Sequence, residues 1–323
     1  MKKEVVIVIG GPTASGKTAL SIELAKQING EIVSADSMQI YKEMDIGTAK
    51  PSKEEMQNIP HYMLGIISPE ERYSVAEYKK EAKNCIREII KKGKTPIVVG
   101  GTGLYIDSLI YEIEYPEIKV DLEYRKELEE IVKKEGLADL YEKAKIIDPI
   151  AMEKISANDQ KRILRVLEIY KETGKTKTQL EKESRKEPEF DYKMFAINMD
   201  REVLYDRINR RVDIMVQNGL IEEVTNLYKK YKEFPTALQA LGYKEIVEYI
   251  EGKISKEEAI EKIKLESRRY AKRQLTWFRK NKQTTWLNGE DKVANNIHII
   301  LEEINKWNKK KERWMWKRKY YLY

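Results

Sequence analysis

Residues Gly11 to Thr18 read GPTASGKT, directly after the apolar run Val5-Val6-Ile7-Val8-Ile9. The spacing is G-x-x-x-x-G-K-[ST], and its place after a strand and at the opening of a helix is the setting that makes the pattern specific. Gly11 and Gly16 frame Pro12, Thr13, Ala14 and Ser15. In such a loop the backbone amides and the positive end of the following helix face an anion. Lys17 then bridges terminal phosphate oxygens, and the Thr18 hydroxyl suits Mg2+.

Three further positions could do chemistry. A nucleotide hydrolase needs an acid at a strand end to hold magnesium or orient water. The stretch TPIVVGG, ending at Gly101, offers none. The acid is Asp36, in EIVSADSMQIY, where a carboxylate either acts as a base toward an acceptor or caps a turn. Thr102, in GGTGLY, presents a hydroxyl beside glycines that allow close approach of backbone to a ligand. Arg207 and Arg211 are four apart and share a helix face, where they either pair with Asp206 and Asp213 or supply positive charge to a leaving group.

The elements that must position these residues follow from hydrophobic patterning. Val5 to Ile9 is a strand, Lys17 to Ile28 an amphipathic helix and Glu31 to Ser34 a second strand. A helix near Ser74 to Lys92 precedes a third strand from Pro96. Short apolar strands separated by helices imply an α/β fold: a P-loop NTPase-like parallel sheet flanked by helices, with ligands at the carboxyl ends of its strands. From about Tyr115 the pattern turns almost wholly helical, until a strand-like return at Lys193 to Asn198. The expectation is a core of residues 1–117 and 189–323, with an inserted all-helical domain at 118–188. After that return the reading is helix to the end, broken at Phe234-Pro235 and around Asn288-Gly289.

Composition narrows the class. The chain has 323 residues, 41% hydrophobic and 36% charged. No stretch approaches the ~20 apolar residues of a membrane span, so a soluble, non-membrane protein is expected. The apolar run at the start is too short for a signal peptide and reads as a strand. One cysteine and two histidines leave no disulfide framework and no zinc cluster, which suits a cytoplasmic protein. Cys85 reads as a small buried hydrophobe and His61 as a structural hydrogen-bonding residue. The net charge of +7 is uneven: Glu261 to Tyr323 holds 18 Lys or Arg against 7 Asp or Glu. A basic segment with interleaved Trp and Tyr suits a nucleic-acid backbone, and a solvated helix surface is the alternative.

The assembled motifs resemble the tRNA dimethylallyltransferases, also called tRNA isopentenyltransferases. The resemblance is carried by GPTASGKT (Gly11 to Thr18), SADSMQIYKEMDIGTAKP (Ser34 to Pro51), IPHYMLGI (Ile59 to Ile66), VVGGTGLYI (Val98 to Ile106), NDQKRILRVLEIY (Asn158 to Tyr170), ALGYKE (Ala240 to Glu245) and AKRQLTWFR (Ala271 to Arg279). These run through nearly the whole chain, in the family's order and spacing. The resemblance implies transfer of a prenyl group from dimethylallyl diphosphate to the exocyclic amine of the adenine just 3′ of the anticodon, with diphosphate as the leaving group.

It also implies roles. Asp36 is the base, while Lys17, Arg207, the loop amides and Mg2+ near Thr18 neutralise the diphosphate, and Thr13 touches the donor. Asp36, Ser37, Met38 and Gln39 meet the flipped-out adenine, and Thr102 contacts tRNA near it. Arg125, Lys161, Arg162 and Arg165 of the insertion grip the anticodon stem and loop. Gln239, Gly242, Lys244, Arg268, Arg273 and Gln274 match further tRNA contacts. A monomer is expected.

Two features depart from the family. Its bacterial members commonly end soon after the stretch matching Asn281 to Ile304, whereas this chain continues with NKWNKKKERWMWKRKYYLY. That tail either adds nonspecific RNA affinity or is disordered. The zinc-finger module of eukaryotic members cannot form with one cysteine. Rival readings are a small-molecule kinase, an isopentenyltransferase acting on free adenine nucleotides, and an RNA-binding protein whose loop senses nucleotides.

Overall fold

The computed structural model describes residues 3–114, 121–231, 234 and 236–320. In chain order the elements begin with β1 (Val5–Gly10), α1 (Lys17–Gln27), β2 (Gly30–Ser34), α2 (Lys53–Met56), β3 (His61–Tyr62), α3 (Val75–Lys91), β4 (Thr95–Gly100) and α4 (Gly103–Ile110). A helical stretch follows: α5 (Leu122–Glu135), α6 (Ala138–Ile147), α7 (Pro149–Met152), α8 (Gln160–Thr173) and α9 (Lys177–Glu183). The chain then returns through β5 (Asp191–Asn198), α10 (Arg201–Gln217), α11 (Leu220–Lys230), α12 (Tyr243–Ile250), α13 (Lys256–Phe278), β6 (Thr285–Asn288) and α14 (Val293–Tyr320). Contacts divide the chain into two units, Met1–Ile110 with Glu189–Tyr323, and Tyr111–Pro188. The expected boundary at 117/118 lies outside the described residues.

The first unit is built on a six-stranded sheet of order β3-β2-β4-β1-β5-β6, and all its pairings are parallel. Burial on both faces explains the unbroken apolar run of β1. Because successive side chains alternate, Val6 and Val8 pack with Tyr78, Ile86, Tyr105 and Leu109 of α3 and α4 on one face. Ile7 and Ile9 pack with Leu20 and Leu24 of α1, Ile208 of α10 and Ile300 of α14 on the other. A third cluster joins Ile40, Tyr41 and Met44 to α11, α12 and α13 through Leu220, Val224, Tyr243 and Ile263.

Capping residues fix where the long helices begin and end. Ser74 and Ser255 open α3 and α13 with capping boxes, closed by Glu77 and Glu258. Two strands go beyond the sequence expectation. β3 is only two residues long, and β6 contributes a single buried residue, Leu287. Neither carries enough alternation to register as a period-two signal.

The second unit has its own core, formed by Leu128, Leu140, Ala144, Met152, Ile163, Leu164 and Leu167. Gly174, at φ 66°, ends α8 in the left-handed conformation. Asp148 stops α6 and caps α7, accepting from the Ala151 amide.

Candidate active site

The carboxyl ends of β1, β2 and β4 meet at a cavity of about 360 Å³. From the phosphate loop, Thr13, Lys17 and Thr18 line it, while Gly11, Pro12, Ala14, Ser15 and Gly16 shape the turn. That turn holds three positive φ angles, at Gly11 (147°), Ala14 (61°) and Gly16 (90°), a backbone of the kind that forms anion-binding concavities. No side chain caps α1 at Gly16, so the first amides of the helix stay available to an anion.

Charge in the cavity is concentrated and poorly hydrated. Lys17 donates to the Pro12 carbonyl at 2.6 Å. Burial first, and the nearby Arg211 second, bring its ammonium down to about 7, against the opposing pull of Asp36. Arg211 is likewise lowered, mainly by burial, and is favoured by Asp36 and Glu55. Two partly desolvated cations and one carboxylate in a single cavity suit an anion.

Asp36 sits where β2 ends. Its Oδ1 accepts from the Met38 amide at 2.9 Å and the Gln39 amide at 3.4 Å, which leaves Oδ2 out of the turn. The turn-capping reading of this residue is met by one oxygen, and the other oxygen makes no bond within that turn. Ser37 is ordered by Thr102, whose Oγ1 accepts from the Ser37 amide at 3.0 Å. A Cβ at Gly100 would meet the Ala35 carbonyl oxygen at 2.1 Å, so only glycine lets the ends of β4 and β2 approach this closely.

Of the other residues singled out from sequence, Ser37, Met38, Gln39, Gln239, Gly242, Lys244, Arg273 and Gln274 line the same cavity. Thr102 is not part of its lining. Neither is Arg268, which donates to Asn209 at 2.6 Å. The arginine assignment shifts by one helical turn. The α10 residues in the lining are Ile208, Arg211, Val212 and Met215, an i, i+3, i+4, i+7 stripe. Arg207 lies roughly a quarter turn off that stripe and is not in the lining. Of the two arginines, Arg211 lines the cavity.

Sequence reasoning also missed three groups. Tyr270, on α13, lines the cavity, and burial together with the charge of Asp36 pushes its phenol up to about 12. Gly47, Thr48 and Ala49 form one wall. Glu223 holds the turn before that wall, accepting from the amides of Asp45, Ile46 and Gly47 and from the Tyr243 hydroxyl. The GTAK stretch was visible in the motif, but Glu223 lies far along the chain and no local pattern points to it.

Within the helical unit, Arg125 makes a two-pronged pair with the buried Glu168, at 2.6 and 3.1 Å, and Arg165 joins the same carboxylate at 3.2 Å. Arg162 pairs with Asp159 on the surface, and Lys161 is exposed.

A phosphate loop, two partly buried cations and a carboxylate converging on one partly apolar cavity suit an enzyme that handles an anionic phosphate group beside an organic substrate. The family model described as IPP transferase matches residues 39–281. A tRNA dimethylallyltransferase of Thermoanaerobacter sp. (strain X514) is 53% identical over 310 residues, covering 93% of this chain and 98% of its own length. One from Bacillus anthracis is 50% identical over 292 residues, covering 90% and 93%. Among solved structures, the full-length tRNA isopentenylpyrophosphate transferase of Bacillus halodurans superposes with a TM-score of 0.73 at 42% identity, covering 97% of this chain and 99% of that one. A eukaryotic dimethylallyltransferase acting on tRNA also gives 0.73, at 32% identity, covering 89% and 74%. The chain belongs to the IPP transferase family, the tRNA dimethylallyltransferases, and is a prenyl-transferring enzyme.

Proposed function

We propose that the cavity binds dimethylallyl diphosphate with its diphosphate on the loop of Gly11 to Thr18, and that the exocyclic amine of the adenosine 3′-adjacent to the anticodon attacks the allylic carbon. The single observation that carries this reading is the convergence of Lys17, Arg211 and Asp36 on one cavity with an apolar wall. Ile208, Val212, Met215 and Leu220 supply that wall and suit a five-carbon chain.

Adenine's amine is a weak nucleophile because its lone pair is delocalised into the ring. Asp36 takes the amine proton through the oxygen left out of the turn, as the new C–N bond forms. The allylic C–O bond breaks and its electron pair leaves on the diphosphate. Lys17, Arg211 and the amides of α1 are placed to stabilise the charge that develops there. The adenosine must leave its stack to reach this depth, and Ser37, Met38 and Arg273 line the space that would receive it.

The donor set suits magnesium only in company with substrate. Thr18 and Asp36 are hard oxygen ligands in one cavity, and no cluster of three or more His, Cys, Asp or Glu stands ready for a metal among the described residues. Mg2+ commonly takes one or two protein oxygens and completes its shell with phosphate and water. Bound by Thr18, it would add Lewis-acid stabilisation of the departing diphosphate.

We place this chemistry in the cytoplasm, in a monomer, with the anticodon stem and loop gripped by the helical unit. No helix among the described residues is long and apolar enough to cross a membrane. The test of the acceptor is tRNA in which that adenosine is replaced by guanosine. It should take up no label from dimethylallyl diphosphate, and labelling equal to that of the native tRNA would overturn the assignment.

A further inference from the structure

Gln274, on α13, is 6% exposed and has both ends of its amide occupied by the protein's own loops. Its Oε1 accepts from the Thr13 amide at 2.9 Å, within the phosphate loop after β1. Its Nε2 donates to the Gly101 carbonyl at 3.0 Å, in the turn after β4. One helical turn earlier, Tyr270 lines the same cavity. Thr102, directly after Gly101, donates its amide to the Ala35 carbonyl at 3.1 Å and accepts from the Ser37 amide at 3.0 Å, on either side of Asp36. One side chain of α13 thus joins the loop after β1 to the turn after β4, and that turn is bonded to the end of β2 that carries Asp36.

Side chains from separate strands keep their relative positions only if something rigid spans them. The carboxyl ends of β1, β2 and β4 belong to loops, and loops are the least rigid parts of an α/β core. We propose that Gln274 is a positioning residue for the donor: it ties the Thr13 turn to the Gly101 turn, and through Thr102, the next residue, sets the distance from the diphosphate to Asp36. This inference rests on the phosphate loop being the donor site, and it differs from the tRNA contact that resemblance implies for Gln274. The tie also has a consequence for the loop itself. With the Thr13 N–H engaged by Gln274, the phosphates are left to the remaining amides, Lys17 and Arg211.

Two substitutions break the tie from opposite sides. Gln274→Met keeps the volume and removes both hydrogen bonds. Gly101→Ala places a Cβ 2.1 Å from Gln274 Nε2, the flexible end of a side chain, so the amide is displaced while the chain still folds. Steady-state kinetics with dimethylallyl diphosphate and tRNA varied separately read the outcome. A misplacement on the order of 1 Å at a reacting centre costs about 100-fold in rate. For both variants we expect kcat/KM for the donor to fall by about that factor, with a raised donor KM, while the KM for tRNA stays within about twofold. Because both changes cut one link, the double variant should lose no more than Gln274→Met alone. A raised tRNA KM with an unchanged donor KM would assign Gln274 to direct tRNA contact and overturn the proposal. Unchanged constants in both variants, or losses that add in the double variant, would overturn it as well. Failure of the donor assignment itself would show separately, as no effect of Lys17→Ala on donor KM.

Discussion

Lys17 makes donor binding a proton-linked event. In the free protein its pKa is about 7, because burial and Arg211 disfavour the ammonium. A bound diphosphate reverses that balance, so the pKa rises on binding and a proton is taken up. The sign follows directly. Affinity is fully present below about pH 7 and is lost as pH rises from there toward the higher pKa of the complex. The diphosphate is essentially fully ionised above about pH 7.5, so the lysine dominates in that range. A free-state pKa lowered to about 7 predicts proton uptake on donor binding that is small at about pH 5 and approaches one proton per donor at about pH 8.5. Between about pH 7.5 and about pH 9 the dissociation constant should weaken roughly 20-fold. Isothermal titration calorimetry in two buffers of different ionisation enthalpy measures the uptake directly. Lys17→Arg keeps the charge without titrating and should abolish the linkage. Absence of uptake in the native protein, or uptake that persists in Lys17→Arg, would refute the reasoning.

Three further outcomes follow from individual contacts. Asp36→Asn keeps the oxygen that accepts from Met38 and removes the base, so single-turnover transfer should fall by about 100-fold or more while tRNA affinity changes little; a matching loss of affinity would make Asp36 chiefly a tRNA contact. Glu223→Ala strands the amides of Asp45, Ile46 and Gly47 and should cost about 3 kcal/mol in urea unfolding, with under about 1 kcal/mol contradicting the role given to this carboxylate. Gly100→Ala forces a Cβ against the backbone of Ala35 and should prevent accumulation of folded protein, in contrast to Gly101→Ala, whose clash is with a movable side chain. Expression and thermal melting of the two alanine variants side by side distinguish these cases.

The parts legible in the sequence were those with dense local signals. The strands before GPTASGKT and after Thr95 are buried on both faces, so their apolar runs are continuous, and their loops carry glycines for steric reasons visible in the structure. The helical insertion was legible because Gly136, Asp148 and Gly174 mark its helix ends. What escaped depends on contacts distant in sequence. Arg207 and Arg211 look alike on a helix face, and only the packing of α10 shows that the stripe through Ile208 faces the cavity. Gln274 bonds residues more than 160 positions away, where no periodicity reaches. Arg125 and Arg165 read as tRNA contacts by resemblance, and their pairing with Glu168, whose burial no spacing rule reveals, was not legible.

The central claim is that this phosphate loop serves a leaving group rather than a nucleotide triphosphate. The most direct test is a product balance with labelled dimethylallyl diphosphate, tRNA and ATP in one reaction. The account predicts one diphosphate released for each prenylated adenosine, with ATP neither required nor consumed. Orthophosphate released from ATP while the tRNA stays unlabelled would contradict it.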